Sequence, residues 1–230
     1  MLVLFDIDGT LLHARGAGVR SMEEVGRRLF DPAFSMQGIE FAGRLDPLIW
    51  RDAAAANGIE DAEGLEAAFR AAYADAYAAA VAEGRATATL LPGVAALLEA
   101  LEAAEVACGI VTGNYPETGG LKIAGAGLEP ARFTAAAWGS DGRHRRDLPA
   151  VAIERHVALI GRPLDASQVL VIGDTPHDVD CARHAGCRSL AVGTGPSFTR
   201  ADLEAAGPDH YLEDLADTAR ILELILGTQR

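Results

Sequence analysis

The sequence predicts an open α/β fold, a parallel sheet with flanking helices, into which an all-helical domain is inserted. Three observations predict it. Short apolar runs at residues 2–5, 106–111 (with Gly109 inside it) and 169–172 have the length and the Val, Ile and Leu content of strands buried on both faces. Helical spacing separates the second run from the third, the alternation that builds parallel sheets. Residues from 14 to about 89 show helical patterning and no convincing strand, far more chain than a loop requires.

The first strand stops at Asp6. Helical patterns follow at 25–30, 48–56 and 65–81, inside a segment entered through Gly16 and Gly18 and left near Gly84; these glycines read equally as hinges or as plain turns. Pro92 opens the next helix, with Val94, Leu97, Leu98 and Leu101 on one face. The second strand ends at Thr112, a helix runs through Ile160, and the third strand ends at Gly173-Asp174. Thr175 suits a helix cap and Pro176 the first helical position. A further strand is expected at 189–192 and a last helix at 212–226, with Gly227 just past its end. The expected division is a core of residues 1–14 and 88–230, and an inserted domain of residues 15–87.

Half of the 230 residues are hydrophobic and 23% are charged, which fits a globular protein with a sizeable core and excludes a disordered chain. The 20 Lys+Arg against 33 Asp+Glu leave a net charge of −13. That surface repels phosphate backbones and anionic lipid, so neither nucleic acid nor membrane is an expected partner. Small anionic substrates stay open, because a metal or a local Arg reverses the potential inside a pocket. No apolar stretch is long enough to span a bilayer, and no basic segment precedes the apolar run that stops at Asp6, so no signal peptide is expected. The three cysteines make neither an even disulfide framework nor a zinc pattern; Cys181 and Cys187 read as small buried residues, and the expected compartment is a reducing cytoplasm.

In open α/β sheets ligands bind beyond the carboxyl ends of the strands. Asp6 and Asp8 lie there two residues apart, on the same side by strand alternation, and Gly9 lets the backbone turn close to a ligand. Two carboxylates so close repel unless a cation or a shared proton joins them. Asp174 arrives from another strand end, and Asp178, four residues on, looks toward the same point. Several carboxylates without His or Cys describe a site for a hard cation, and Mg2+ suits it.

With these residues in place, the chain resembles the phosphatases of the haloacid dehalogenase superfamily. Asp6-Ile7-Asp8-Gly9-Thr10-Leu11-Leu12 is similar to their first motif, Val111-Thr112-Gly113-Asn114 to the second, and Gly173-Asp174-Thr175-Pro176-His177-Asp178 to the fourth. The helical insert sits where that family carries its cap. The resemblance implies a Rossmann-like core with a helical cap, and Asp6 as a nucleophile that forms an aspartyl-phosphate. It implies Asp8 as the acid for the leaving oxygen and then the base for water, with its backbone carbonyl on the metal. Asp174 would ligate Mg2+, and Asp178 would ligate or orient it. The Thr112 hydroxyl and the Gly113 and Asn114 amides would hold phosphate oxygens.

The third motif departs from the family, which usually places a Lys ahead of the helix before motif four. The stretch Asp141-Gly142-Arg143-His144-Arg145-Arg146-Asp147-Leu148 offers arginines instead. Arg145 is the expected replacement, with Arg146 next. Lys122, on the helix after motif two, reads as a surface or helix-face residue, and His13, His144 and His177 read as surface histidines. Asp8 favours phosphate esters, because the dehalogenases and phosphonate hydrolases of the superfamily lack an acid there. Phe41-Ala42-Gly43-Arg44-Leu45-Asp46-Pro47 resembles a cap turn of the phosphoglycolate phosphatase and phosphoglucomutase branch, with Leu45 in place of the usual Thr. Arg44 would then meet a substrate carboxylate or second phosphate, or else pair with a cap residue such as Asp46. Trp50 and Phe41 read as cap core. The expected activity is hydrolysis of a small phosphorylated metabolite by a monomer or homodimer. A phosphosugar mutase and a non-catalytic phospho-ligand binder are the alternatives.

Overall fold

In the computed structural model, residues 1–227 are described. The strands are β1 (Leu2–Phe5), β2 (Leu12–His13), β3 (Thr89–Leu90), β4 (Ala107–Val111), β5 (Ala135–Ala137), β6 (Val169–Gly173), β7 (Arg188–Val192) and β8 (His210–Leu212). Six of them form one sheet in the order β5-β4-β1-β6-β7-β8, and every pairing in it is parallel. β1 lies between β4 and β6, with Leu2 opposite Ala107 on one side and Val169 on the other. The strand order reverses there, so the ends of β1, β4 and β6 open onto one crevice.

The side chains of β1 alternate between the two faces. Val3 and Phe5 enter one apolar cluster, and Leu2 and Leu4 the other. The first cluster includes Leu97, Leu98 and Leu101 of α4 (Val94–Ala103) and Ile221 and Ile225 of α9 (Thr218–Leu226). The second takes Leu148 and Ala152 of α6 (Leu148–Ile160) and Cys181 and Ala182 of α7 (Pro176–His184). Cys181 and Cys187 are buried as expected.

The insert carries α1 (Ala17–Leu29), α2 (Asp46–Ala56) and α3 (Ala62–Ala82) around its own core of Trp50, Phe69, Tyr73 and Tyr77. Trp50 stacks on Phe69 with ring centroids 4.0 Å apart. Phe41 departs from the expectation: it is 49% exposed rather than part of that core. β2 and β3 form a two-residue antiparallel ribbon where the chain leaves and rejoins the sheet domain, Leu12 opposite Leu90. No strand was expected there, since two residues are too few for a periodic pattern.

Two other elements differ from expectation. β5 is three alanines, which carry no strand preference and gain their conformation by pairing with β4. The last helix starts at Thr218 rather than 212, because Leu212 pairs with Val192 as the final residue of β8 and Asp217 caps the helix. The remaining helices, α5 (Pro116–Gly125) and α8 (Arg200–Ala205), follow β4 and β7.

Candidate active site

The loop after β1 curls around one carbonyl: Ile7 O accepts the amides of Leu11 and Leu12 at 3.0 and 3.1 Å. Gly9 has φ +85°, and a Cβ there would sit 2.4 Å from Asp174 Oδ2, so only glycine fits. β1 ends at Phe5, and strand alternation does not carry past it. The Asp6 and Asp8 carboxylates therefore part rather than lying side by side.

Asp6 turns toward β6. Its carboxylate, that of Asp174 and that of Asp178 offer oxygens within 4.8 Å of one another, all buried. Thr10 Oγ1 donates to Asp174 Oδ1 at 3.0 Å. Asp178 Oδ2 accepts from Thr175 N at 3.0 Å and Thr175 Oγ1 at 2.7 Å, while its Oδ1 meets Arg145. Burial raises the Asp6 pKa to about 6; Arg145 opposes the shift, and Asp178 and Asp8 add to it. Asp174 is raised well above the usual range by burial and by the charges of Asp6 and Asp178. Three oxygen donors that repel one another in a dry site suit a hard divalent cation. Both Asp178 oxygens also accept hydrogen bonds, Oδ2 from Thr175 and Oδ1 from Arg145. The Asp8 carboxylate lies outside the cluster.

Asp8 turns the other way. Its Oδ2 accepts from Lys122 Nζ at 2.6 Å and from Asn114 Nδ2 at 2.9 Å. Asn114 Oδ1 accepts from Lys122 at 2.6 Å, and Asn114 Nδ2 also donates to Thr112 Oγ1 at 2.8 Å. The Thr112 oxygen is thus an acceptor within the network, and a hydroxyl can donate as well. Lys122 overturns the surface reading. On α5 it shares a buried face with Thr118, Gly119 and Ile123, and it is 5% exposed. Burial disfavours its charge, but Asp8 and Asp46 outweigh that and raise its pKa. One signal was available in the composition: Lys122 is the only lysine in a chain with 20 Lys+Arg.

The arginines separate cleanly. Arg145 is buried and bridges Asp6 Oδ1, at 3.1 Å, and Asp178 Oδ1. Its Nη1 reaches Gly43 O in the insert at 3.3 Å, and its Nε has no hydrogen-bond partner among the described residues. Arg146 turns outward and pairs with Asp180 at 2.6 Å, away from the site, because adjacent residues of the short turn before α6 face different sides. Arg143 is exposed. Arg44 lines the cavity but pairs with Asp52 at 2.6 Å, not with Asp46.

Asp46, unremarked as a site residue in sequence, reaches across from the insert. Its backbone amide donates to Gly113 O at 2.7 Å, and its carboxylate accepts Tyr115 N at 2.8 Å. Gly113 is required here: a Cβ would lie 1.9 Å from Arg44 O. The cavity between insert and sheet, about 370 Å³, is lined by Asp6, Asp8, Thr112, Lys122, Arg145 and Arg44. His13, expected at the surface, and the exposed Phe41 also line it, whereas His177 is exposed as expected.

The parallel sheet, its switch point and the carboxylates at it define a hydrolase of the α/β type with an inserted helical cap. Residues 3–183 match the haloacid dehalogenase-like hydrolase family, and the chain belongs to it. The chain is 27% identical to a phosphoglycolate phosphatase from Vibrio parahaemolyticus, over 96% of this chain and 95% of that one. Among solved structures, it is similar to a hydrolase from Pseudomonas syringae, with TM-score 0.73 and 22% identity over 97% and 98% of the two chains. It is also similar to CbbY from Rhodobacter sphaeroides in complex with phosphate, with TM-score 0.69 and 20% identity over 94% and 95%.

Proposed function

We propose that the protein is a Mg2+-dependent phosphatase that hydrolyses a small phosphate monoester through an aspartyl-phosphate on Asp6. The observation that carries this reading is that Asp6 and Asp8 line one cavity with different partners, Asp6 with the carboxylate cluster and Asp8 with Lys122 and Asn114. Different partners let one carboxylate act as nucleophile at phosphorus and the other carry the proton of the leaving oxygen.

Asp6, Asp174 and the Asp8 carbonyl would hold Mg2+, with Asp178 behind them. When bound, the ion offsets the charge of phosphate against carboxylate and polarises the phosphoryl group. The Thr112 hydroxyl, the Gly113 and Asn114 amides and Arg145 hold phosphate oxygens, and the unpartnered Arg145 Nε supplies donor capacity for one of them. Asp6 attacks phosphorus, the bond to the leaving oxygen breaks, and Asp8 gives that oxygen a proton. Asp8 then takes a proton from water as the water oxygen attacks phosphorus, and the bond to Asp6 breaks to release phosphate.

The substrate proposed is a phosphoglycolate-like ester or a sugar phosphate. A cavity of about 370 Å³ fits a small metabolite, and Arg44, Arg15 and His13 line it where a second anionic group would lie. The relative from Vibrio, which matches along nearly its whole length, favours the first. Residues 15–87 form the cap in this reading, and the compartment is the cytoplasm.

The test is release of inorganic phosphate from p-nitrophenyl phosphate and phosphoglycolate, with and without Mg2+ and with no bisphosphate activator. Turnover that needs Mg2+ and disappears in Asp6→Asn supports the reading. Activity only after a sugar bisphosphate is added would favour a mutase. Tight binding of phosphate with no turnover would favour a binding protein.

A further inference from the structure

We propose that Lys122 is a positioning residue for Asp8, holding one oxygen of that carboxylate so that the other alone serves the leaving group and the water. This rests on the phosphatase reading above and deepens it. Both donors to Asp8 converge on Oδ2: Lys122 Nζ at 2.6 Å and Asn114 Nδ2 at 2.9 Å. Oδ1 is left as the proton-exchanging atom. Half of the Asp8 side chain's surroundings are open, since it is 42% exposed, whereas Lys122 is 6% exposed and fixed. An otherwise free carboxylate is therefore tethered by an immobile cation.

The tether is itself braced. Asn114 Oδ1 accepts a second Lys122 proton at 2.6 Å, which links the ammonium to the loop after β4. On the cap side, the Lys122 charge is the strongest favourable influence on the Asp46 carboxylate, and Asp46 is bonded to Tyr115 and Gly113. Lys122 therefore stands where the motif-one loop, the motif-two loop and the cap meet. A compact ammonium suits this point. A Cβ on Gly18 would be 2.9 Å from Tyr73 Oη and 3.6 Å from Lys122 Nζ, so this glycine lets α1 pack close to the ammonium. Lys122 is the single lysine in a chain whose other 19 basic side chains are arginine.

A residue that aims the acid matters most when the leaving oxygen needs a proton. An alkoxide leaves only if protonated, whereas p-nitrophenolate leaves without help. The experiment compares kcat/KM for phosphoglycolate and for p-nitrophenyl phosphate in the native protein, Lys122→Met and Lys122→Gln, with Mg2+ throughout. The expected result is that Lys122→Met loses at least tenfold more on the alkyl ester than on the aryl ester. Lys122→Gln, which keeps a donor but no charge, should fall between. The ratio of the two constants does not depend on the fraction of active protein, so partial unfolding of a variant leaves it unmoved. Equal losses on both esters, or none, would overturn the proposal. Failure of the phosphatase reading looks different: the native protein would then hydrolyse neither ester.

Discussion

The Asp46 carboxylate accepts the Tyr115 amide proton at 2.8 Å, joining the first turn of a cap helix to the loop that follows β4. Burial raises the Asp46 pKa from 3.8 to about 6, while the Lys122 charge and the Tyr115 hydrogen bond oppose the shift. A raised carboxyl pKa means that the fold prefers the protonated form. Its stabilising contribution is complete below about pH 4 and is lost as pH rises through about 6, roughly 3 kcal/mol at about 1.4 kcal/mol per unit. Asp46→Asn keeps an acceptor for Tyr115 and removes the charge. In chelator-treated protein, it should flatten the fall in stability between pH 4 and 7, read from urea unfolding of variant and native side by side. Parallel curves would refute the argument. Asp46→Ala, which leaves the Tyr115 amide without its acceptor, should cost about 1–3 kcal/mol at either pH.

Asp6→Asn separates stability from chemistry. The Asp6 carboxylate is disfavoured in the metal-free fold by burial and by Asp178 and Asp8, with Arg145 as its compensation. An uncharged isostere relieves the repulsion and gives up part of an ion pair, so the variant should be more stable in chelator by about 1–2 kcal/mol. Its turnover should fall below detection, because an amide cannot form the aspartyl-phosphate. Thermal unfolding and phosphate release on the same preparation check both halves. A destabilised variant would refute the first half, and turnover at the native rate the second.

Much of this molecule could be read in its sequence, for reasons that differ by element. The central strands were legible because strands covered on both faces must be apolar throughout, as 169–172 is. β5 was not, since three alanines take their conformation from a neighbour rather than from their own pattern. The carboxylate cluster was visible because Asp6 and Asp174 follow recognisable strands and Asp178 lies in the first turn of the next helix, and Arg145 because the family resemblance calls for a basic residue ahead of α6. Lys122 and Asp46 were hidden. Each lies on a helix whose buried face points at the site, and which face that is depends on how cap and core pack.

The arginine pair makes a sharp contrast from adjacent positions. Arg145→Ala leaves Asp6 and Asp178 buried without their shared cation, a loss of about 3–5 kcal/mol for a broken buried pair. It also removes a donor to phosphate, worth about 10²–10³ in kcat. Arg146→Ala breaks only an exposed pair with Asp180, and Arg143→Ala removes an exposed side chain, so both should match the native protein in melting temperature and rate. Steady-state kinetics on the three alanine variants decides the assignment. A comparable loss in Arg146→Ala would move the motif-three role to that residue.

Cation binding should depend on pH in a direction the site fixes. The metal competes with protons for the same oxygens, and both Asp6 and Asp174 hold their protons above the usual carboxylate range, Asp6 to about 6. Lowering the pH from 7 to 5 therefore protonates the donors that the cation needs, and apparent Mg2+ affinity should fall by about tenfold per pH unit for each displaced proton below that pKa. At pH 7.5, saturating Mg2+ should raise the melting temperature, since about 100-fold excess over Kd stabilises by about 2.7 kcal/mol. At pH 5 the same concentration should do much less. Asp174→Asn, which removes one donor and its competing proton together, should abolish the magnesium-dependent rise at both pH values. A rise in that variant equal to the native one would place the ion somewhere other than beside Asp6.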